Sequence, residues 1–151
     1  MRREADALAL DASRLVVWSA SGCASYGALA ALTAQPPVTA LVVYYGVLDL
    51  RGWAARLGTL DPDAAASLSA AAFAATVARV PPTLVVTAGL DDPGINATAE
   101  LFADAIAGKS ELTQLHHPTG RHAFDIIDDD ETSADIIRVT LDFMVDRLTA
   151  S

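Results

Sequence analysis

Short apolar runs that alternate with helical patterns most constrain the fold of this chain. Four runs rich in β-branched residues predict strands at residues 14–18, 40–45, 83–87 and 112–116. The first three runs are apolar at both alternating positions, which is typical of strands buried between helices in a parallel sheet. We therefore predict an α/β fold in which a parallel, or mostly parallel, sheet of about four strands is flanked by helices.

Helical patterns fill the segments between the predicted strands. Apolar residues recur three or four positions apart over residues 95–106 and again over residues 137–148, which predicts two amphipathic helices. Residues 22–32 are rich in Ala and Gly, as suits a helix packed closely against a sheet, and the Ala-rich residues 64–78 predict one further helix. This alternation of strand and helix implies right-handed parallel crossovers.

The length and charge of the chain limit its organisation and its partners. The 151 residues can bury one continuous core, and we predict a single domain over residues 1–151. The net charge of -9 would repel nucleic acid and anionic lipid, so we expect neither nucleic acid nor a membrane as a partner. No apolar run approaches the ~20 residues that a membrane-spanning helix needs.

The N-terminal residues and the cysteine content indicate a cytoplasmic protein. Acidic residues interrupt the start of the chain where a secretory signal would carry its apolar stretch. Cys23 is the single cysteine, so the chain cannot form an internal disulfide bond. We therefore expect a reducing, cytoplasmic environment.

The first predicted strand turns sharply into a helix of small residues, and a serine lies at that turn. Ser21 follows the strand, and the flanking Ser19 and Cys23 are small enough to let strand and helix approach each other. Ser21 is therefore a candidate nucleophile, and the alternative is a serine that caps the helix N-terminus. Cys23 is either a thiolate stabilised by the helix start or a small packing residue, and we favour packing.

Candidate acid and base groups follow the third and fourth predicted strands. A carboxylate at the carboxyl end of a parallel strand can orient a histidine from a neighbouring loop, whereas acids here also cap helices. We assign Asp91 as the orienting acid and Asp92 as the cap or as a second candidate for the acid. His122, in a glycine-containing loop after the last strand, can reach the serine as a general base, and we interpret His116 and His117 as structural.

Other clusters in the sequence have structural explanations. No ligand spacing predicts a metal site, and no glycine-rich phosphate loop follows the first strand, which disfavours a flavodoxin-like nucleotide-binding domain. The acidic residues 128–131 resemble a calcium ligand cluster but lack a glycine turn, so we favour helix capping. Trp53, Leu57, Leu60 and Phe73 either line an apolar pocket or belong to the core.

Taken together, these motifs resemble the C-terminal half of an α/β-hydrolase of the dienelactone hydrolase type, with similarity to hormone-sensitive-lipase-like esterases. The resemblance covers about residues 5–148 and is closest at residues 14–24, 88–91 and 117–125. It implies Ser21 as nucleophile, Asp91 as acid and His122 as base, in the family's chain order. It also implies hydrolysis of a small acyl substrate, a carboxylic ester, lactone or thioester, with no metal and no organic cofactor.

The resemblance further implies that the family's site needs residues outside this sequence. One oxyanion donor is the backbone N–H after the nucleophile, here Gly22, and the other comes from an N-terminal loop. Losing one donor typically lowers the rate ~100- to 1000-fold, so we expect a truncated α/β-hydrolase-like domain with weak activity unless another chain completes the site. The alternative is a catalytically inactive fragment or interaction domain. The strand from Arg14 to Trp18 would have a free edge, which predicts a homodimer.

Overall fold

One parallel sheet organises the residues that the computed structural model describes, which are 4–58 and 60–150 without the side chains of Ala54 and Leu57. Its strands are β1 (Val16–Ala20), β2 (Ala40–Tyr44), β3 (Thr83–Ala88) and β4 (Leu112–His117). They lie in the order β1-β2-β3-β4, and each neighbouring pair is parallel. The predicted α/β fold and each of the four predicted strands are confirmed.

Helices connect the strands and cover the sheet. They are α1 (Ala24–Thr33), α2 (Arg51–Leu57), α3 (Pro62–Ser67), α4 (Ala70–Thr76), α5 (Pro93–Ile106), α6 (Phe124–Ile127) and α7 (Glu131–Thr149). A short 3-10 turn, Ser21–Cys23, precedes α1. The side chains of Asp61 and Asp92 cap the two helices that begin with proline, α3 and α5. Within the described ranges, no helix has both the length and the apolar character needed to cross a membrane.

Two apolar layers cover the two faces of the sheet. Phe102 and Ile106 of α5 belong to one layer, together with residues of α1 and α4. Phe124 of α6 and Ile136 and Phe143 of α7 belong to the other. Full burial of such a side chain contributes about 1.5–3 kcal/mol, so these contacts hold the helices that carry the loops against the sheet. The central strand β2 is buried along its whole length.

The edge strand β1 is less buried than its sequence predicts. It was predicted to be covered on both faces, but its residues are only partly buried and Trp18 is 42% exposed. Among the described residues β1 pairs with β2 alone, so its outer edge has no neighbouring strand. The apolar pattern therefore overestimates the burial of β1, whereas the free edge expected for this strand is present in the described sheet.

The single helix predicted across the Ala-rich stretch is two helices, α3 and α4. Ser69 lies between them with extended backbone, and its hydroxyl donates a hydrogen bond to Asp49 Oδ1 at 3.0 Å. Ser25 Oγ donates to the Leu68 carbonyl on one side of the break and accepts from Ala70 N on the other. These buried hydroxyl groups satisfy the backbone groups that a continuous helix would have paired, and the helix therefore stops.

Candidate active site

The carboxyl ends of β1, β3 and β4 bring three predicted site residues together. Ser21 Oγ lies 2.7 Å from His122 Nε2, and His122 Nδ1 lies 2.7 Å from Asp91 Oδ2. The side chain of Asp91 is 3% exposed and that of His122 is 38% exposed. The result is a chain of hydrogen bonds from a hydroxyl through an imidazole to a buried carboxylate, with the imidazole open to solvent.

Ser21 adopts a strained backbone conformation in the turn between β1 and α1. Its φ of 54° lies in the left-handed region, which is uncommon for a residue with a Cβ and costs about 1–3 kcal/mol. Its carbonyl accepts hydrogen bonds from Ala24 N and, at 3.0 Å, from Val47 N, and these bonds hold the turn. Neither the 3-10 turn nor α1 has a side-chain cap, so the interpretation of Ser21 as a helix cap is wrong.

Helix α1 packs directly against β1 at Gly27. A Cβ on Gly27 would lie 2.4 Å from Ser19 Cβ, so the contact requires glycine on the helix and a small residue on the strand. Ser19 is among the predicted small contact residues, whereas Gly27 is not, although a glycine inside a helix is a signal of close packing. Cys23 is exposed, and its interpretation as a packing residue is wrong because the first turn after Ser21 faces solvent.

The loop that carries Asp91 and the loop that carries His122 are joined along their backbones. They share two hydrogen bonds, Gly89 N to His117 O at 2.8 Å and Leu90 N to Gly120 O at 2.9 Å. A Cβ on Gly89 would lie 2.1 Å from the Pro118 carbonyl oxygen, so this close approach requires glycine. These backbone contacts therefore fix the positions of Asp91 and His122 relative to each other independently of the side-chain hydrogen bond between them.

Asp91 and Asp92 have different partners although they are adjacent. Asp91 Oδ1 accepts a bond from Asp92 N at 2.7 Å, which leaves Oδ2 to face His122. Asp92 Oδ1 accepts from Gly94 N at 2.7 Å, which confirms Asp92 as the cap of α5. Hydrogen bonds from Arg56 and from Gly94 N hold the pKa of Asp92 below its usual value. Asp92 is therefore committed to helix α5 and to the ion pair with α2.

The other two histidines lie outside this hydrogen-bonded chain. His117 is fully buried, and its Nε2 lies 2.9 Å from Ser133 Oγ of α7. His116 Nδ1 lies 2.9 Å from Thr87 Oγ1 on the neighbouring strand. Their contacts join β4 to α7 and to β3, in agreement with the structural role that the sequence analysis assigned to them.

The acidic run is occupied by helix capping and an ion pair. Asp130 Oδ1 accepts a bond from Ser133 N at 2.9 Å and caps α7, which confirms the capping interpretation. Asp128 is paired with Arg121, whose backbone and side-chain hydrogen bonds lower the pKa of Asp128. In the described part of the chain, no group of three or more His, Cys, Asp or Glu side chains is placed to hold a metal ion.

One of the four residues suggested as pocket-lining does line a cavity. Trp53 borders a cavity of about 190 Å³ between α2 and α5, and Arg56 lies over its ring at 4.5 Å. Leu60 and Phe73 are partly buried and do not border this cavity. The side chain of Leu57 lies outside the described residues.

Solved esterase structures are similar to this chain over nearly its whole length. An esterase of the planctomycete Thermogutta terrifontis superposes with a TM-score of 0.79 at 17% identity, covering 99% of this chain and 62% of that one. Carboxyl esterase 2 of the mycorrhizal fungus Tuber melanosporum gives 0.80 at 17% identity, with coverages of 97% and 58%. Esterase LipW of Mycobacterium marinum gives 0.73 at 21% identity, with coverages of 99% and 55%.

These similarities establish the fold. At such low identity they show only that the described sheet and helices have the arrangement found in these esterases. The chain spans 62% of the length of the Thermogutta esterase and 58% of that of the Tuber esterase. No protein-family model matches the sequence. A comparison with curated protein sequences finds no match.

Proposed function

We propose that this chain is a serine hydrolase that cleaves carboxylic esters through a Ser21, His122 and Asp91 triad. The observation that carries the proposal is the pair of 2.7 Å contacts that join the three side chains in that order. The strained backbone of Ser21 supports it, because strain at a non-glycine residue is concentrated at functional sites. The fold shared with esterases is a second, independent support.

In the proposed reaction, His122 Nε2 removes the proton of Ser21 as the Ser21 oxygen attacks the ester carbonyl carbon. Asp91 accepts the Nδ1–H bond and stabilises the imidazolium ion that forms. His122 then donates the proton to the departing alcohol oxygen, and an acyl-enzyme remains on Ser21. Water, deprotonated by His122, attacks the acyl carbon, releases the carboxylic acid and restores Ser21.

We assign the backbone N–H of Gly22 as one donor to the oxyanion of the tetrahedral intermediate. Gly22 follows Ser21 directly and lies in the first turn of a helical segment, where backbone N–H groups have no acceptor inside the helix. In the family that the sequence resembles, a second donor belongs to a loop outside this sequence. One such donor contributes ~100- to 1000-fold in rate.

The finer substrate assignment rests on the resemblance to dienelactone hydrolases, which adds lactones and thioesters to the substrates to be tested. Structures of the Thermogutta esterase have been determined with propionate and with butyrate bound. Esters of short acids are therefore the first choice for this chain. We retain a cytoplasmic location as part of the proposal, because the chain has a single cysteine.

A fluorophosphonate probe and p-nitrophenyl acetate test the proposal. We expect the probe to label Ser21 and the ester to be cleaved, and we expect both signals to vanish in Ser21→Ala. Ser19→Ala is the matched control. Ser19 lies two residues before Ser21, and its described hydrogen bond goes to the Ala24 carbonyl and not to His122. A folded protein that neither labels nor cleaves the ester would instead be an inactive fragment or an interaction domain.

A further inference from the structure

Tyr45 lies directly after β2, beneath the loop that carries His122. His122 follows β4 and Ser21 follows β1, so the loop that carries His122 must extend across the ends of β3 and β2. Three strand spacings of ~4.8 Å separate β4 from β1, a distance of roughly 14 Å. A loop extended over that distance needs support from the intervening strands, and Tyr45 occupies the end of one of them.

Tyr45 contacts the base loop at two points. Its ring lies edge-on to the His122 ring, with centroids 4.8 Å apart and an interplanar angle of 61°. Its hydroxyl donates a 2.6 Å hydrogen bond to Asp125 Oδ1, three residues after His122. Burial and the Asp125 carboxylate raise the pKa of Tyr45 well above its usual value, so the hydroxyl is protonated and can donate at neutral pH. The contacts therefore hold both the imidazole and the backbone that follows it.

Strained backbone occurs at three residues close to the His122 side chain or next to it in the chain. Four non-glycine residues in the described ranges have positive φ, and three of them are Ser21, Tyr45 and Ala123. Tyr45, at φ 34°, is a bulky residue in a conformation that such residues rarely adopt. Ala123, at φ 64°, follows His122 directly. The strained residues are therefore the candidate nucleophile Ser21, the tyrosine that contacts His122, and the residue that follows His122. The hydrogen bond from Tyr45 to Asp125 holds the loop after His122 against the end of β2.

We propose that Tyr45 and Asp125 form a positioning pair that fixes the His122 imidazole with Nδ1 towards Asp91 and Nε2 towards Ser21. The ring of Tyr45 limits rotation of the imidazole, and the bond to Asp125 anchors the first turn of α6 that follows it. This inference rests on the proposed role of His122 as the base. Neither side chain touches the reacting atoms, and both act through the imidazole.

The tautomer of His122 tests the pair without requiring any turnover. In the native protein, ¹⁵N–¹H correlation spectra of the histidine side chains are expected to show His122 protonated at Nδ1 alone, with the signal assigned by its loss in His122→Gln. Tyr45→Phe, which removes only the hydroxyl, and Asp125→Ala are expected to give mixed tautomers. Asp125→Asn retains an acceptor oxygen and is expected to restore much of the native signal.

Tyr44→Phe is the matched control for this experiment. Tyr44 is an adjacent buried tyrosine, and its hydroxyl lies 2.6 Å from Thr140 Oγ1 of α7 rather than in the base loop. Its replacement removes a comparable buried hydrogen bond, so it is expected to lower thermal stability and to leave the His122 tautomer unchanged. A stability loss of similar size in Tyr45→Phe with a native tautomer would show that the Tyr45 hydroxyl is only structural and would overturn the proposal.

Kinetics supply the second measurement. Tyr45→Phe and Asp125→Ala are each expected to lower kcat about 3- to 10-fold with little change in KM, the range that loss of one hydrogen bond produces. The double variant is expected to be no slower than the slower single variant, because the two residues act as one unit. If the native protein proves inactive, the proposed function fails, whereas the tautomer spectra still decide whether Tyr45 and Asp125 position the imidazole.

Discussion

The two oxygen atoms of the Asp91 carboxylate have separate tasks at the scale of single residues. One accepts a backbone N–H from the same turn and fixes the orientation of the carboxylate, and the other faces His122. Burial excludes water from both oxygens, so the imidazole is the main partner that the second oxygen can have. A change at this side chain should therefore alter the chemistry of His122 more than it alters the fold.

Asp91→Asn is expected to lower the rate of ester cleavage by ~1000- to 10000-fold, because an amide nitrogen facing Nδ1 would favour the wrong histidine tautomer. The volume and the bond from Asp92 N are preserved, so the fold should remain intact. The rates of p-nitrophenyl acetate cleavage and of fluorophosphonate labelling measure the effect, and circular dichroism reports the fold. Native rates in this variant would remove Asp91 from the triad.

Asp92→Asn provides the neighbouring control and a dependence on pH. The pKa of Asp92 is lowered in the folded state, so its charge stabilises the fold above the unfolded pKa of about 3.9 and this contribution is lost as pH falls through the lower, folded value. Asp92→Asn should keep an activity within a few-fold of native. Its deficit in Tm at neutral pH should shrink below pH ~4, and a deficit that persists there would assign the stabilisation to something other than charge.

At the scale of secondary structure elements, the contact of α1 with β1 determines where the turn at Ser21 lies. The helix follows directly from this turn, and Gly27 allows the helix to rest on Ser19. Glycine inside a helix costs about 1 kcal/mol relative to alanine, a cost that this close contact explains. The position of Ser21 Oγ relative to His122 therefore depends on a residue six positions further along the chain.

Gly27→Ala is expected to destabilise the protein by about 1–3 kcal/mol and to lower activity, because the added methyl group would force helix and strand apart. Denaturant unfolding and ester cleavage measure the two effects. Ser19→Gly in the same chain removes the opposing Cβ and should recover part of both losses. Gly52→Ala is the matched control, since a Cβ on Gly52 in α2 meets nothing within 4 Å, and it should be neutral or stabilising.

Local patterns predicted the four strands and the helices α1, α5 and α7, but not the short helices α2 and α6. They also predicted the meeting of Ser21, Asp91 and His122, because carboxyl ends of parallel strands meet at one edge of a sheet. They did not predict the break at Ser69 or the contacts of Tyr45. These features depend on bonds between residues far apart in sequence, such as Ser25 with Ala70 and Tyr45 with Asp125. An Ala-rich stretch carries no sign that a serine from another helix will interrupt it.

At the scale of the whole molecule, we propose that two copies of the chain associate through the outer edge of β1. The strand pairs with β2 alone among the described residues, and such an edge can pair with the same strand of a second copy about a two-fold axis. Trp18 is exposed on this strand, and the centroid of its ring lies 5.2 Å from that of Tyr44. Two copies would place ten strand residues and two tryptophans at one interface.

We expect sedimentation velocity to show a dimer whose population grows with protein concentration. Each copy carries a charge of -9, so added salt should screen the repulsion and strengthen the association. Trp18→Lys places a charge on the edge and should give monomers, whereas Tyr26→Lys adds the same charge at an exposed position on α1 and should leave the dimer intact. High salt screens the repulsion between the two negatively charged copies. A native chain that stays monomeric at high concentration and high salt would therefore rule out pairing through β1.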